Sequence, residues 1–178
     1  AALGIVGGVG EVEDFEAGGG EELGCCEAEV AVGCALDSDE AIVEAGNRLK
    51  EQVQVDKVVI TLGPRGIYFR DGDRDGQRGP EGRIPTMARA VYDVTGAGDT
   101  VVALLAICLA EGWDLEPAVD LANHAAGIVV AKLGAHSVRR SELLARLREP
   151  PPDEGPIQVL GQTHPKQLDP SNLRGLIE

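Results

Sequence analysis

The sequence contains few aromatic side chains, little basic charge and no long apolar run. Its 178 residues include five aromatic side chains, and 30 Asp and Glu against 16 Lys and Arg give a net charge of −14. Nucleic-acid binding depends on basic patches and aromatic stacking, so this composition argues against it. The longest apolar run, Val101–Ala110, has about half of the ~20 residues that a membrane helix needs. We therefore expect neither nucleic acid nor a membrane as a partner.

The cysteines also lack the spacing of a metal site. Cys25, Cys26, Cys34 and Cys108 form no CxxC pair and have no histidines at a zinc-ligand spacing. No secretory signal pattern stands at the start of the sequence, so we expect reduced thiols in a cytoplasmic protein. Hydrophobic residues make up 43% of the chain, which is typical of a globular protein.

Acidic charge is concentrated near the amino terminus. Residues 1–47 hold 12 acidic side chains and no Lys or Arg, which leaves a net charge of −2 for residues 48–178. Residues 1–24 also hold eight glycines and show no apolar period. A strand and a phosphate loop at residues 3–10 are disfavoured, because the acids that follow would repel a pyrophosphate and the last fingerprint glycine is missing. The preferred interpretation of residues 1–26 is a flexible, glycine-rich acidic arm.

From residue 37 onward the pattern indicates alternating helices and strands, and hence an α/β domain. Asp37-Ser38-Asp39-Glu40 is typical of a capping box with Glu40 at the third helical position. The apolar periods predict helices over 38–53, 97–111, 115–132 and 141–149, and strands over 57–62, 66–70 and 82–86. The helix over 97–111 is apolar on all sides and is expected to be buried. We expect residues 150–178 to be a linker and a weakly structured tail.

Residues 93–100 carry the pattern that indicates chemistry most directly. Gly96-Ala97-Gly98 leads into the amino end of the helix predicted from residue 97. Small residues let a ligand approach the backbone, and the first-turn N–H groups together with the helix dipole attract an anion. Asp99 lies at the same end, where its carboxylate could accept a proton from a hydroxyl group. The alternative is that Asp99 only caps the helix and the glycines only form a turn.

This segment, Asp93-Val94-Thr95-Gly96-Ala97-Gly98-Asp99, resembles the carboxy-terminal signature D-T-x-G-A-G-D of the ribokinase-like (PfkB) sugar kinases. The similarity continues through residues 100–106 and 121–134, and residues 58–66 resemble the family's nucleotide strand and loop. The run over residues 84–95 is similar to the heptose-7-phosphate kinase branch, which serves bacterial lipopolysaccharide core synthesis. The resemblance covers residues 27–149 and implies the carboxy-terminal part of a three-layer fold with a mainly parallel sheet.

The resemblance also implies an activity, the ATP-dependent phosphorylation of a sugar hydroxyl. Asp99 would be the general base, and Gly96, Ala97 and Gly98 would offer N–H groups to the transferring phosphoryl group. The expected substrate is a small sugar or sugar phosphate, in particular a heptose phosphate. Other family members act on other sugars or on nucleosides, and the run over residues 84–95 is the evidence against such a substrate.

Cofactor and metal contacts follow from the same resemblance. Residues of the ATP side would be Thr61, Gly63, Gly66 and Asn123. The alternatives are that Thr61 only ends a strand, Gly63 only forms a turn and Asn123 is only a polar residue on a helix surface. Residues of a monovalent-cation site, with potassium as the expected ion, would be Asp93 and Thr95. Glu27 matches the Glu of the family's N-x-x-E motif for magnesium and phosphate, although Gly24 stands at the Asn position.

Two features depart from the family pattern. Residues 1–26 do not resemble the family's sugar-binding half, so the chain is interpreted as a truncated kinase or as a non-catalytic, nucleotide-binding remnant. Bifunctional relatives also carry an H-x-G-H nucleotidyltransferase motif after the kinase, and here the tail has only Thr163-His164-Pro165. A sheet that lacks half of its strands exposes an unpaired edge, so the chain is also expected to be marginally stable or to form homo-oligomers.

Overall fold

The computed structural model describes residues 3–7, 27–33, 35–73 and 77–149. The strands are β1 (Leu3–Gly7), β2 (Lys57–Thr61), β3 (Ile67–Arg70) and β4 (Glu81–Ile84). The helices are α1 (Glu27–Val32), α2 (Asp39–Val53), α3 (Ala97–Ala110), α4 (Leu115–Val129) and α5 (Arg140–Arg146), with a 3₁₀ turn at Gly63–Arg65. Most of the predicted arm and all of the predicted tail lie outside these residues.

The four strands form one sheet in the order β1-β2-β3-β4. β1 pairs with β2 in parallel, whereas the β2–β3 and β3–β4 pairs are antiparallel. The α/β class is confirmed, but within the described strands the sheet is mixed and not mainly parallel. The reason is the length of the connections, because a turn at Gly63–Arg65 can join only antiparallel neighbours.

The prediction of a flexible arm over residues 1–26 is wrong for residues 3–7, which form the strand β1. Leu3 lies opposite Lys57 and Gly7 lies opposite Thr61, so these five residues form the strand next to β2 in the described sheet. The sequence pattern missed this strand because its hydrogen-bond partners lie more than 50 residues away in the chain. The short helix α1 was not predicted either.

Side chains on the two faces of the sheet enter two separate apolar cores, which gives three layers. On one face Val59, Ile67, Phe69 and Ile84 pack against α3 and α4. On the other face Val58, Ile60 and Tyr68 pack against α2 and the end of α1. The alternation along β2 and β3 follows from the two-residue period of a strand. The three-layer arrangement expected from the resemblance is confirmed.

Several helix ends differ from the sequence prediction. Ser38 is the N-cap of α2, and its Oγ accepts a hydrogen bond from Ala41 N–H at 3.1 Å, so Glu40 is not the third helical residue. α4 ends at Val129 and α5 at Arg146, both earlier than the apolar periods suggested.

Cys108 is buried with a free thiol, as expected for that cysteine, whereas Cys25, Cys26 and Cys34 lie outside the described residues. Among the helices that the structure describes, none is long and apolar enough to span a membrane.

Candidate active site

The amino end of α3 is shaped by Gly96, its N-cap residue. Gly96 has φ 81° and ψ 2°, a left-handed conformation that costs a residue with a Cβ about 1–2 kcal/mol. The turn before it is closed by a hydrogen bond from Ala97 N–H to the Val94 carbonyl at 3.1 Å. The Gly96 carbonyl then accepts hydrogen bonds from Thr100 N–H at 3.0 Å and from Thr100 Oγ1 at 2.8 Å. This arrangement fixes the direction in which the helix begins.

The N–H groups available for an anion at this end are those of Gly98 and Asp99. Neither donates a hydrogen bond to another residue in the described part of the chain, as expected for second and third helical positions. Apart from its chain neighbours and the backbone of α3, no described residue comes within 4 Å of the place where a Cβ of Gly98 would stand, so this side of the backbone is open within the described structure. Ala97 N–H, by contrast, is already bonded to Val94, and the sequence reasoning assigned it to the phosphoryl group. Asp99 N–H was not predicted, although its place in the first turn could have indicated it.

The Asp99 side chain lies in the first turn of α3 and is exposed. No hydrogen bond from Asp99 to another described residue caps the helix, so the helix-cap alternative is not supported by the geometry. A carboxylate in this position can accept a proton from a hydroxyl group bound beside the Gly98 and Asp99 amides. Gly96, Gly98 and Asp99 lie at the same end of α3, and their role in one site stays a prediction.

Asp93 joins the loop before α3 to the loop after α4. Its Oδ1 accepts a hydrogen bond from Thr95 N–H at 2.9 Å, and its Oδ2 accepts one from Gly134 N–H at 2.8 Å. The hydrogen bonds from Thr95 and Gly134 lower the pKa of Asp93 below its usual range, so the group is a carboxylate at neutral pH. A charged carboxylate is an oxygen ligand that suits a monovalent cation, and the role of Asp93 as such a ligand stays a prediction.

Magnesium ligands are not assembled by the described residues. No group of three or more His, Cys, Asp or Glu side chains that could hold a metal ion is found among them. Glu27 begins α1, and its side chain lies outside what the structure describes. Magnesium binds enzymes through one or two carboxylates and the phosphates of its substrate, so the role of Glu27 stays a prediction.

The residues predicted for the ATP side lie in two places. Thr61 ends β2, and the exposed Gly63 begins the 3₁₀ turn that follows it. Gly66 is buried at the end of the same turn, where a Cβ would lie 2.8 Å from Pro85 Cα. The close backbone approach therefore accounts for Gly66 without a nucleotide.

Asn123 lies on α4 and is only 3% exposed. Its Nδ2 donates a hydrogen bond to the Pro85 carbonyl at 2.7 Å. The alternative of a helix-surface polar residue is therefore wrong, and one of the two N–H groups of the amide is already used within the protein. A nucleotide contact through the rest of the Asn123 amide remains a prediction.

Comparison with solved structures defines the class of this α/β domain. The chain is similar to the ribokinase from Arabidopsis thaliana complexed with ribose and ATP, with a TM-score of 0.60 and 27% sequence identity. The similar region covers 70% of this chain and 39% of that protein. The fold is therefore that of the ribokinase-type sugar kinases, and this chain contains a part of it.

Sequence comparison assigns the family. The profile described as pfkB family carbohydrate kinase matches residues 26–141. The bifunctional protein HldE of Shewanella sediminis is 40% identical over 149 residues, which are 84% of this chain and 30% of that protein. HldE of Helicobacter hepaticus is 41% identical over 125 residues, 70% of this chain and 25% of the relative. The chain belongs to the pfkB family of carbohydrate kinases, and it spans about a quarter to a third of the length of these curated relatives.

Proposed function

We propose that this chain is the phosphoryl-transfer part of an ATP-dependent kinase that phosphorylates a sugar hydroxyl. The observation that carries the proposal is the amino end of α3, where two N–H groups without partners among the described residues lie beside the exposed Asp99. The sugar is proposed to be a heptose phosphate, because residues 84–95 resemble the heptose-7-phosphate kinase branch and the HldE relatives are about 40% identical.

In the proposed reaction Asp99 accepts the proton of the sugar hydroxyl as the hydroxyl oxygen attacks the γ-phosphorus of ATP. The bond between the γ-phosphorus and the β,γ-bridging oxygen breaks, and ADP leaves with that oxygen and its electron pair. Charge on the transferring phosphoryl group is stabilised by the Gly98 and Asp99 N–H groups and by the α3 dipole. Such catalysis depends on positioning and charge stabilisation more than on covalent chemistry. Bound magnesium would neutralise phosphate charge, and Glu27 is the residue proposed to contact it.

ATP is proposed to bind with its phosphates near α3 and with Thr61 and Gly63 on the nucleotide side. Asp93 and Thr95 are proposed to contact a monovalent cation such as potassium. The cytoplasmic location and the absence of nucleic-acid and membrane partners stay predictions from composition. The boundaries of the kinase region, residues 27–149, are likewise proposed.

An ATP-consumption assay across phosphorylated heptoses and common sugars tests the proposal. We expect turnover with a heptose phosphate, and a loss of about 10²–10⁴-fold in Asp99→Asn because the general base is removed. ATP binding should stay largely intact, since the two N–H groups remain. The matched control is Asp114→Asn, because Asp114 is exposed and its side chain makes no capping hydrogen bond. Full activity in Asp99→Asn would contradict the role of Asp99.

The second candidate is a non-catalytic, nucleotide-binding remnant. It is favoured by a departure from the family pattern, because Gly24 stands at the Asn position of the N-x-x-E motif. In that case ATP binds, no sugar in the panel is phosphorylated, and Asp99→Asn changes nothing. Turnover with ribose or another sugar in place of heptose phosphate would support a different specificity within the family, to which the 27% identity with a ribokinase also points.

A further inference from the structure

One backbone segment connects β4 to the turn before α3, and we call residues 85–93 the connector. It runs along α4 and touches it at regularly spaced positions. Asn123 Nδ2 donates to the Pro85 carbonyl at 2.7 Å, and a Cβ on Gly127 would lie 3.0 Å from the carbonyl carbon of Met87. Farther along, the Val130 carbonyl accepts hydrogen bonds from the N–H groups of residue 92 at 2.7 Å and residue 93 at 3.3 Å.

The contact positions on the α4 side share one face. Residues 123, 127 and 130 follow the i, i+4, i+7 spacing of a single helical stripe, and Gly134 continues it four residues later. Gly134 N–H donates to Asp93 Oδ2 at 2.8 Å. The connector is therefore held from its first residue to its last by one stripe of α4 and the loop that extends it.

Both ends of the connector are fastened by side chains. Asn123 is 3% exposed. If its side chain could no longer donate, the Pro85 carbonyl would lose this hydrogen bond in a buried place, which is energetically unfavourable. Asp93, at the other end, bonds Gly134 with one oxygen and Thr95 N–H with the other. Thr95 belongs to the turn that leads into the left-handed Gly96 and the first turn of α3. The connector is therefore continuous with the turn that carries the amides of Gly98 and Asp99.

We propose that Asn123 and Asp93 are positioning residues that hold the connector against α4 and thereby set the position of the phosphoryl-binding turn at the start of α3. The inference rests on the proposed function for its effect on catalysis, whereas the effect on the backbone stands by itself. Neither residue needs to touch the reacting atoms for this role. Arg146 of α5 supports the same segment, because its guanidinium donates to the Met87 carbonyl.

The test measures hydrogen exchange and kinetics on the full chain. Asn123→Asp has nearly the same shape but places an acceptor opposite the Pro85 carbonyl, and Asp93→Asn replaces one of the two acceptor oxygens. We expect faster exchange of the amides of residues 92–99 in both variants, with β2 and β3 unchanged. We also expect kcat to fall at least tenfold while KM for ATP stays within about twofold. Asp114→Asn is again the control and should match the unchanged protein in both measurements.

Other outcomes separate the possibilities. If Asn123→Asp raises KM for ATP and leaves exchange over residues 92–99 unchanged, Asn123 is a nucleotide contact and the positioning role is wrong. If exchange rises as expected but the unchanged chain has no turnover, the positioning role holds and the proposed function fails. Should both variants fail to fold, Gly127→Ala provides the test. Its Cβ pushes on Met87 while both side-chain fastenings remain, and unchanged exchange over residues 92–99 would overturn the proposal.

Discussion

Gly66 stands where the turn after β2 meets the end of β4, with no room for a side chain. It has φ 90° and ψ −142°, and a Cβ would overlap the Ile84 carbonyl and lie 2.8 Å from Pro85 Cα. Its N–H donates to the Gly63 carbonyl at 3.0 Å, and its carbonyl accepts from Leu62 N–H at 2.8 Å. The glycine is required by packing whether or not a nucleotide lies nearby.

We expect Gly66→Ala to lower the free energy of unfolding by more than about 2 kcal/mol, because strain in this backbone region and steric overlap act together. Gly63→Ala is the matched control. Gly63 also has a positive φ, 56°, but apart from its chain neighbours no described residue lies within 4 Å of its Cβ position, so strain alone should cost about 1 kcal/mol. Urea unfolding of both variants measures the difference. Equal losses would show that the close approach to Ile84 and Pro85 is not limiting.

At the scale of elements, α4 carries a largely buried titratable pair. His124 Nε2 lies 3.8 Å from Asp120 Oδ1, and His124 Nδ1 has no hydrogen-bond partner among the described residues. Burial, and then the nearby Arg146 guanidinium, lower the pKa of His124 to about 4. Burial, and then the charge of Glu116, raise the pKa of Asp120 to about 6. Both groups are therefore held closer to their neutral forms.

The two groups respond to acid in opposite directions. His124 takes up a proton near pH 6.5 in the unfolded chain and only near pH 4 in the folded one, so its contribution to stability is lost as the pH falls between these values. The carboxyl of Asp120, with a folded pKa of about 6 against 3.8 in the unfolded chain, binds its proton first in the folded state. Stability from Asp120 is therefore gained as the pH falls from 6 to 3.8.

We expect the pH dependence to become visible when one partner is removed. Relative to the unchanged chain, Asp120→Asn should lose on the order of 2 kcal/mol more stability between pH 6.5 and pH 4, since only the His124 effect remains. His124→Gln should show a difference of the opposite sign over the same interval. Urea unfolding at a series of pH values measures both. Parallel curves for the three proteins would mean that the pair does not titrate as its burial implies.

At the scale of the whole molecule, α3 is incompletely covered. Val101, Leu105 and Cys108 are buried in the core that α3 shares with α4 and the sheet, but Val102 and Ile107 are 44% and 50% exposed. The sequence prediction that α3 is buried on all sides is therefore wrong for the chain as described. From Thr100 to Ala110 the helix has no charged side chain, so nothing on this face opposes association.

We expect the chain to self-associate through this face and to be only marginally stable. The double variant Val102→Lys and Ile107→Lys should lower the weight-average mass in sedimentation velocity, because two charges replace exposed apolar area. Val53→Lys is the control, since Val53 is 58% exposed but lies on α2. A monodisperse, cooperatively unfolding monomer of the unchanged chain would contradict the expectation.

Local sequence patterns were most successful where a short segment determines its own structure. The starts of α2, α3 and α4 and the positions of β2 and β3 followed from apolar periods, glycines and caps. The patterns failed where a segment takes its structure from a partner that is distant in the chain. β1 is such a segment, because its hydrogen bonds are made with β2. The patterns also could not show that Ala97, Gly66 and Asn123 contact Val94 or Pro85 within the protein, so the ligand roles of these three residues stay predictions.

The sequence has few aromatic residues, little basic charge and no long apolar run, which argued against nucleic-acid and membrane partners. The motif over residues 93–99 then indicated the class of protein before any fold was known. The sequence by itself determined the family, the helical turn that carries Gly96–Asp99 and the chemistry available there, because these depend on residue types at fixed spacing. Only the tertiary structure decided which amides remain open, how the connector is fastened to α4 and how much of α3 stays exposed. These properties depend on contacts between residues that are far apart in the chain.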